Sequence, residues 1–191
     1  AEGNEALWNQ FFGMIEPVAS VVPWSVMPGN HDMRSGDSKG ECGLPMLSRF
    51  ETPRSRAAQP ALLSMETTSR CEASFDQTEG DPYWWAVDAG YARIVTYSTD
   101  SDLTKGSAQY LWLADELEAA NTPAARAERP WLLLMGHKPM YTASQYAGEY
   151  GTRGSATAGE GTEGQLTAEL EDLFVAHGVD VSFYGHIHSY N

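Results

Sequence analysis

Apolar and polar positions alternate along the chain in a way that predicts helices interleaved with strands. Leu7, Trp8, Phe11, Phe12, Ile15 and Val18 recur at helical spacing and predict an amphipathic helix over 4–20. The run 21–27, Val-Val-Pro-Trp-Ser-Val-Met, reads as a short buried strand that ends in Pro28-Gly29-Asn30-His31-Asp32. Residues 34–80 show little periodicity and are rich in Gly, Ser, Pro, Thr and Arg, which predicts a long irregular excursion. Two further runs, 83–88 and 91–98, flank Asp88-Ala89-Gly90 and predict a hairpin. A second amphipathic helix is expected over 107–120, then a polar linker from Asn121 to Pro130. Trp131-Leu132-Leu133-Leu134-Met135 is continuously apolar, as in a strand covered on both faces. A Gly-rich loop over 142–164, a helix over about 165–177 and a buried strand over 179–184 complete the chain.

Helices alternating with apolar strands predict an α/β fold with helices packed on a sheet. The 191 residues suffice for one domain with a core, and neither a repeat nor a second domain is visible. No apolar run approaches the roughly 20 residues of a membrane span. The net charge of −14 leaves no basic stripe for nucleic acid or an anionic membrane. An acidic chain acting on an anionic substrate needs a local positive centre, and bound metal is one source. Beginning at Ala1 without an initiator Met, the chain reads as a processed product or a fragment. Cys42 and Cys71 both fall in the irregular excursion and form no CxxC pair. They are read either as a loop-closing disulfide or as two buried thiols.

Four of the five histidines follow a Gly at the end of an apolar strand: His31 in Gly-Asn-His, His137 in Gly-His, and His186 and His188 in Gly-His-Ile-His. Strand tips are where open α/β sheets place their sites, and neutral imidazole is the commonest metal ligand. The fifth, His177, ends a helix and is read as structural. Asn30 adds a hard, neutral oxygen. Without thiolates, such a set suits Zn, Fe or Mn.

The order GNHD, an apolar strand ending in Gly136-His137 with Pro139-Met140-Tyr141 after it, and GHIHSY resembles the calcineurin-like metallophosphoesterases. More closely, it is similar to the purple acid phosphatases, whose pattern is DxG, GDxxY, GNH(E/D), VxxH and GHxH. The stretches Gly40–Pro45, Val87–Gly90, Ser98–Asp100, Gln109–Leu113 and Pro130–Met135 look like that family too. The resemblance implies an αββα sandwich that hydrolyses phosphate monoesters at a dinuclear metal centre of Fe with Zn, Mn or Fe. It implies that Asn30, His137 and His186 bind the exchangeable metal, that His188 binds the other, and that His31 contacts phosphate and helps protonate the leaving alkoxide. Asp32 either orients His31 or a ligand, or stabilises its turn. The implied substrate is a phosphorylated small molecule or phosphoprotein, and the implied location is extracellular or the secretory pathway. A phosphodiesterase or nucleotide pyrophosphatase on the same scaffold is the alternative activity. A truncated, non-catalytic binding module is the alternative of another class.

The chain departs from the pattern upstream. The 28 residues before Gly29 contain no Asp and no Tyr, so DxG and GDxxY are missing. Asp88-Ala89-Gly90 and Gly80-Asp81-Pro82-Tyr83 imitate them but come too late. Residues 1–191 are therefore expected to be an N-terminally truncated, partial catalytic domain. VxxH reads Leu134-Met135-Gly136-His137, a conservative packing change. Where some plant relatives carry substrate-contacting histidines, this chain has Tyr146 and Ala147. Lys138 and Arg153 are read as surface charges, with phosphate contact as the alternative.

Overall fold

The computed structural model describes residues 5–33, 43–53, 83–141 and 163–188. Cys42, Cys71, Asp81, Tyr146, Ala147 and Arg153 lie outside them, so the disulfide, the later GDxxY-like stretch and the loop contacts stay expectations from the sequence.

The elements run α1 (Glu5–Ala19), α2 (Asn30–Met33), α3 (Leu44–Arg49), β1 (Trp85–Ala89), β2 (Ala92–Thr96), α4 (Ala108–Ala120), α5 (Pro123–Glu128), β3 (Trp131–Met135), α6 (Glu163–Ala176) and β4 (Val181–Phe183). The strands form one mixed sheet in the order β1-β2-β3-β4. β1 and β2 are the expected antiparallel hairpin, turning at Gly90 with φ 59°. β2, β3 and β4 are mutually parallel. This is a mixed α/β fold around a central sheet. Among the described residues no second sheet accompanies it.

The main core lies where α4 and α6 cover the sheet. Leu113 and Leu117 of α4, and Leu166, Leu170 and Phe174 of α6, meet Val95, Tyr97, Leu132 and Leu134. Val95 and Leu134 are register partners, so both point into this layer. Ser107 caps α4 by accepting a hydrogen bond from the Tyr110 N–H. A second cluster joins Trp8 of α1 to Met46, Leu47, Tyr83 and Trp84, with Phe11, Phe12 and Phe50 against it.

Four sequence expectations are corrected. Residues 21–27 form no strand, and Val21, Val22 and Trp24 are exposed. Pro23 offers no N–H to a ladder, and among the described residues no strand stands beside this run. The polar linker contains α5, which starts on a Thr122 cap with Pro123 at its first position. α5 is docked by Arg126, whose guanidinium donates to Asp180 (2.7 Å), the Pro130 carbonyl (2.9 Å) and the His177 carbonyl (3.2 Å). β3 is covered mainly on one face: Leu132 and Leu134 are buried, Leu133 and Met135 half-buried, and Trp131 exposed. β4 is only three residues long and not buried, because it is the sheet's edge; Val181 and Phe183 stay about half exposed.

Candidate metal centre

Parallel pairing of β3 with β4 delivers two of the histidines to one place. Met135 is the register partner of Phe183, so both chains leave the sheet together. The ladder continues past the strands: the Gly136 N–H donates to the Phe183 carbonyl (3.1 Å), and the Gly185 N–H donates to the His137 carbonyl (2.9 Å). His137 and His186 therefore stand side by side, with ring centroids 5.0 Å apart and planes at 74°.

Asn30 arrives from the other side of the chain. It is buried at the start of α2, a single turn held by Asp32 and Met33 N–H groups donating to the Gly29 carbonyl (3.0 and 3.1 Å). The Asp32 carboxylate accepts from the Gly29 N–H (3.0 Å), which favours its turn-stabilising role. Gly29 is required by proximity. A Cβ there would stand 2.8–3.1 Å from three atoms of the His137 ring. Gly136 is constrained likewise by the Tyr97 ring, 2.6 Å from an added Cβ.

Three donor atoms converge as a result. His137 Nε2 lies 2.9 Å from Asn30 Oδ1, His186 Nδ1 lies 3.1 Å from the same oxygen, and the two nitrogens are 3.2 Å apart. Metal–donor bonds of about 2.0–2.2 Å put neighbouring donors on one ion about 3.0–3.5 Å apart. The triangle thus has the size of one face of a metal coordination shell, and its N₂O chemistry suits Zn, Fe or Mn. Both imidazoles are biased toward the neutral form that a ligand needs. Burial, then the neighbouring His186, pulls the His137 pKa down to about 4. Burial, then the Lys138 charge, lowers that of His186. Among the described residues no three His, Cys, Asp or Glu gather as a metal cluster, and the third atom of this triangle is a carboxamide oxygen.

His186 reaches this position at a backbone cost. Its φ is 63°, in the left-handed region, and the Ile187 N–H donates across it to the Gly185 carbonyl (2.7 Å). This is the strained form of γ-turn. No sequence pattern announced it.

The other expected site residues flank the triangle. His31 and His188 are exposed, and both are near enough for their charge to bias His186. His177 sits before β4, at the opposite end of the strand from the donors, as its structural reading requires. Asp88 is no ligand: it pairs with Arg93 (2.9 Å) and Arg129 (3.2 Å) on the hairpin. Lys138 corrects the sequence reading. It is buried rather than on the surface, and its ammonium donates to the buried Asp100 carboxylate at 2.7 Å. A partner 38 positions upstream leaves no local sequence signal.

Residues 3–190 match the calcineurin-like phosphoesterase family. The chain is 30% identical over 205 residues to a protein named probable inactive purple acid phosphatase 9 of Arabidopsis thaliana, covering 100% of this chain and 28% of the relative. It is 30% identical over 195 residues to acid phosphatase type 7 of Mus musculus, covering 99% and 37%. It superposes on the solved purple acid phosphatase from yellow lupin (Lupinus luteus) seeds with a TM-score of 0.70 and 27% identity, covering 98% and 28%. The chain thus spans roughly a third of the length of these proteins.

Proposed function

The chain belongs to the calcineurin-like phosphoesterase family, and from that premise we propose that it forms part of the catalytic domain of a dinuclear-metal phosphomonoesterase. The observation that carries the reading is the triangle of Asn30 Oδ1, His137 Nε2 and His186 Nδ1. These three residues would hold the exchangeable metal, and His188 would reach toward a second. A divalent ion there, with Fe as its neighbour, would supply Lewis acidity toward a phosphoryl oxygen and lower the pKa of water.

The chain's own residues supply the rest. Burial holds the His137 pKa down to about 4 and lowers that of His186, which favours the neutral imidazoles whose lone pairs a metal needs. The Asp32–Gly29 contact orients the turn that presents Asn30 and, next to it, His31. His31, exposed and next to Asn30, would carry a proton on an imidazole nitrogen to the departing alkoxide oxygen. The proposed substrates are phosphorylated small molecules or phosphoproteins, and the proposed location is the secretory pathway or outside the cell. Peptide mapping without reductant tests the location through a Cys42–Cys71 linkage; two free thiols count against export.

The direct test is metal loading followed by assay of a phosphate monoester and a diester. One set of outcomes carries the proposal: two metals per chain, preferential monoester turnover, and loss of both in His137→Ala. Preferential diester turnover supports the alternative activity. One observation favours the non-catalytic module as second reading: a relative is named probable inactive. One metal per chain, or none, without turnover would show that this chain is not itself active, and two metals with turnover would exclude the binding module.

A further inference from the structure

We propose that the buried Lys138–Asp100 ion pair is a positioning device for His137: it ties the turn after β3 to the turn after β2 and so sets where the imidazole stands relative to Asn30 and His186. This rests on the metal-centre reading above and adds to it a residue pair outside the donor set.

The turn after β2 is itself immobilised. Fully buried Gln109 accepts from the Ser98 N–H (2.7 Å) and donates to the Ser98 carbonyl (3.0 Å), copying the bonds a neighbouring strand would make. Ser101 Oγ donates to Ser98 Oγ at 3.0 Å. The Tyr97 N–H donates to the Met135 carbonyl at 3.0 Å, which holds this turn to the end of β3. Lys138 is then fastened to it twice. Its backbone N–H donates to Thr99 Oγ1 (3.2 Å), and its ammonium donates to Asp100 Oδ1 (2.7 Å). One residue earlier, the His137 carbonyl is held from the opposite side by the Gly185 N–H. The segment 136–138 is therefore gripped by both neighbouring chains, and Lys138 supplies the grip on the β2 side.

Stability alone does not account for the pair. Both side chains are almost wholly withdrawn from water, at 6% and 3% exposure. An apolar pair of similar volume at such a site is often equally or more stable. What an ion pair adds is direction: the carboxylate accepts only where the ammonium points, so the turn has one arrangement.

The test compares the chain with its Lys138→Met/Asp100→Leu variant. The metal-free readout is the imidazole ¹⁵N–¹H spectrum of His137, and the second is zinc affinity by titration calorimetry. The variant is expected to unfold at a temperature close to that of the parent. Its His137 cross-peaks shift and broaden, and zinc affinity falls about 10- to 100-fold, as for other groups that orient metal ligands. Asp100→Glu, which keeps the pair and lengthens its arm by one methylene, is the second variant and decides the matter should the apolar pair not fold. It is expected to move the same cross-peaks. An unshifted His137 spectrum with unchanged zinc affinity in a folded variant overturns the proposal. If the parent chain takes up no zinc, the metal-centre reading fails, and the His137 spectrum alone judges the positioning role.

Discussion

The ring of His137 closes on Gly29 so tightly that a methyl group on the glycine would stand 2.8 Å from Cε1. Gly29 does not adopt a positive φ, so its requirement is steric. Gly29→Ala must push the ring or the turn carrying Asn30, and either movement opens the donor triangle. The expected cost is about 1–3 kcal/mol of stability, typical of overpacking, together with weakened zinc binding. Thermal unfolding and calorimetric titration check both. Unchanged zinc affinity would show that the triangle tolerates displacement.

His186 makes the opposite case, where glycine is expected to help. At most positions Ala is more stable than Gly, because Gly loses more freedom on folding. A left-handed backbone costs a non-glycine residue about 1–2 kcal/mol, and His186 has φ 63°. His186→Gly is therefore expected to be more stable than His186→Ala by about 1 kcal/mol, with both variants losing the metal. Paired denaturant melts of the metal-free proteins give the sign. Ala more stable than Gly would mean that the γ-turn is not held in solution.

How much of this was legible in the sequence depends on the range of the interaction. The tips of β3 and β4 were readable, because an apolar run followed by Gly-His is a local signal and parallel pairing then aligns the two. The helix 123–128 was equally local, since Thr122-Pro123 is a cap followed by the favoured first residue, yet its short Ala-rich run has no large apolar residue to give a periodicity and reads as linker. The strand expected over 21–27 was not decidable locally. Apolar residues state that burial would be favourable, not that a neighbouring strand is present, and Trp24 and Val21 are exposed. The burial of Lys138 was invisible for the same reason, since only the fold supplies Asp100. The left-handed φ of His186 is imposed on a residue type that rarely adopts it.

Acid should weaken the metal-free protein through His137. Its pKa is lowered to about 4 in the folded chain, below the ordinary value of 6.5. Between those values the unfolded chain binds more protons, so stability rises with pH. The contribution is complete above about pH 6.5 and lost as pH falls toward about 4. A shift of this size sets a ceiling of about 3 kcal/mol, and partial solvent access reduces the expected loss to about 1–2 kcal/mol. The lowered pKa of His186 acts with the same sign. Urea melts from pH 7 to pH 4.5 measure the slope, which should flatten in His137→Gln. Zinc affinity should fall over the same range, because protons compete for the ligand nitrogens.

The clamp of Gln109 on Ser98 gives a pH dependence of the opposite sign. Gln109→Leu fills the space but removes an acceptor from the Ser98 N–H and a donor from its carbonyl. Each buried backbone group left unpaired costs about 1–3 kcal/mol, so the two together are expected to cost about 2–6 kcal/mol. Gln109→Glu keeps the shape and separates the two bonds. As a neutral acid it can still accept at one oxygen and donate from the other, and as a carboxylate it can only accept. The position is fully buried, so desolvation raises the carboxyl pKa in the folded state. A group with a raised folded pKa gives its full stability below the unfolded value of about 4.3 and loses it as pH rises. Gln109→Glu, taken as a difference from the parent, should therefore become relatively more stable on acidification while the parent becomes less so. A difference that stays flat between pH 7 and pH 4.5 would mean that the side chain has left its buried site and that Ser98 is held by other means.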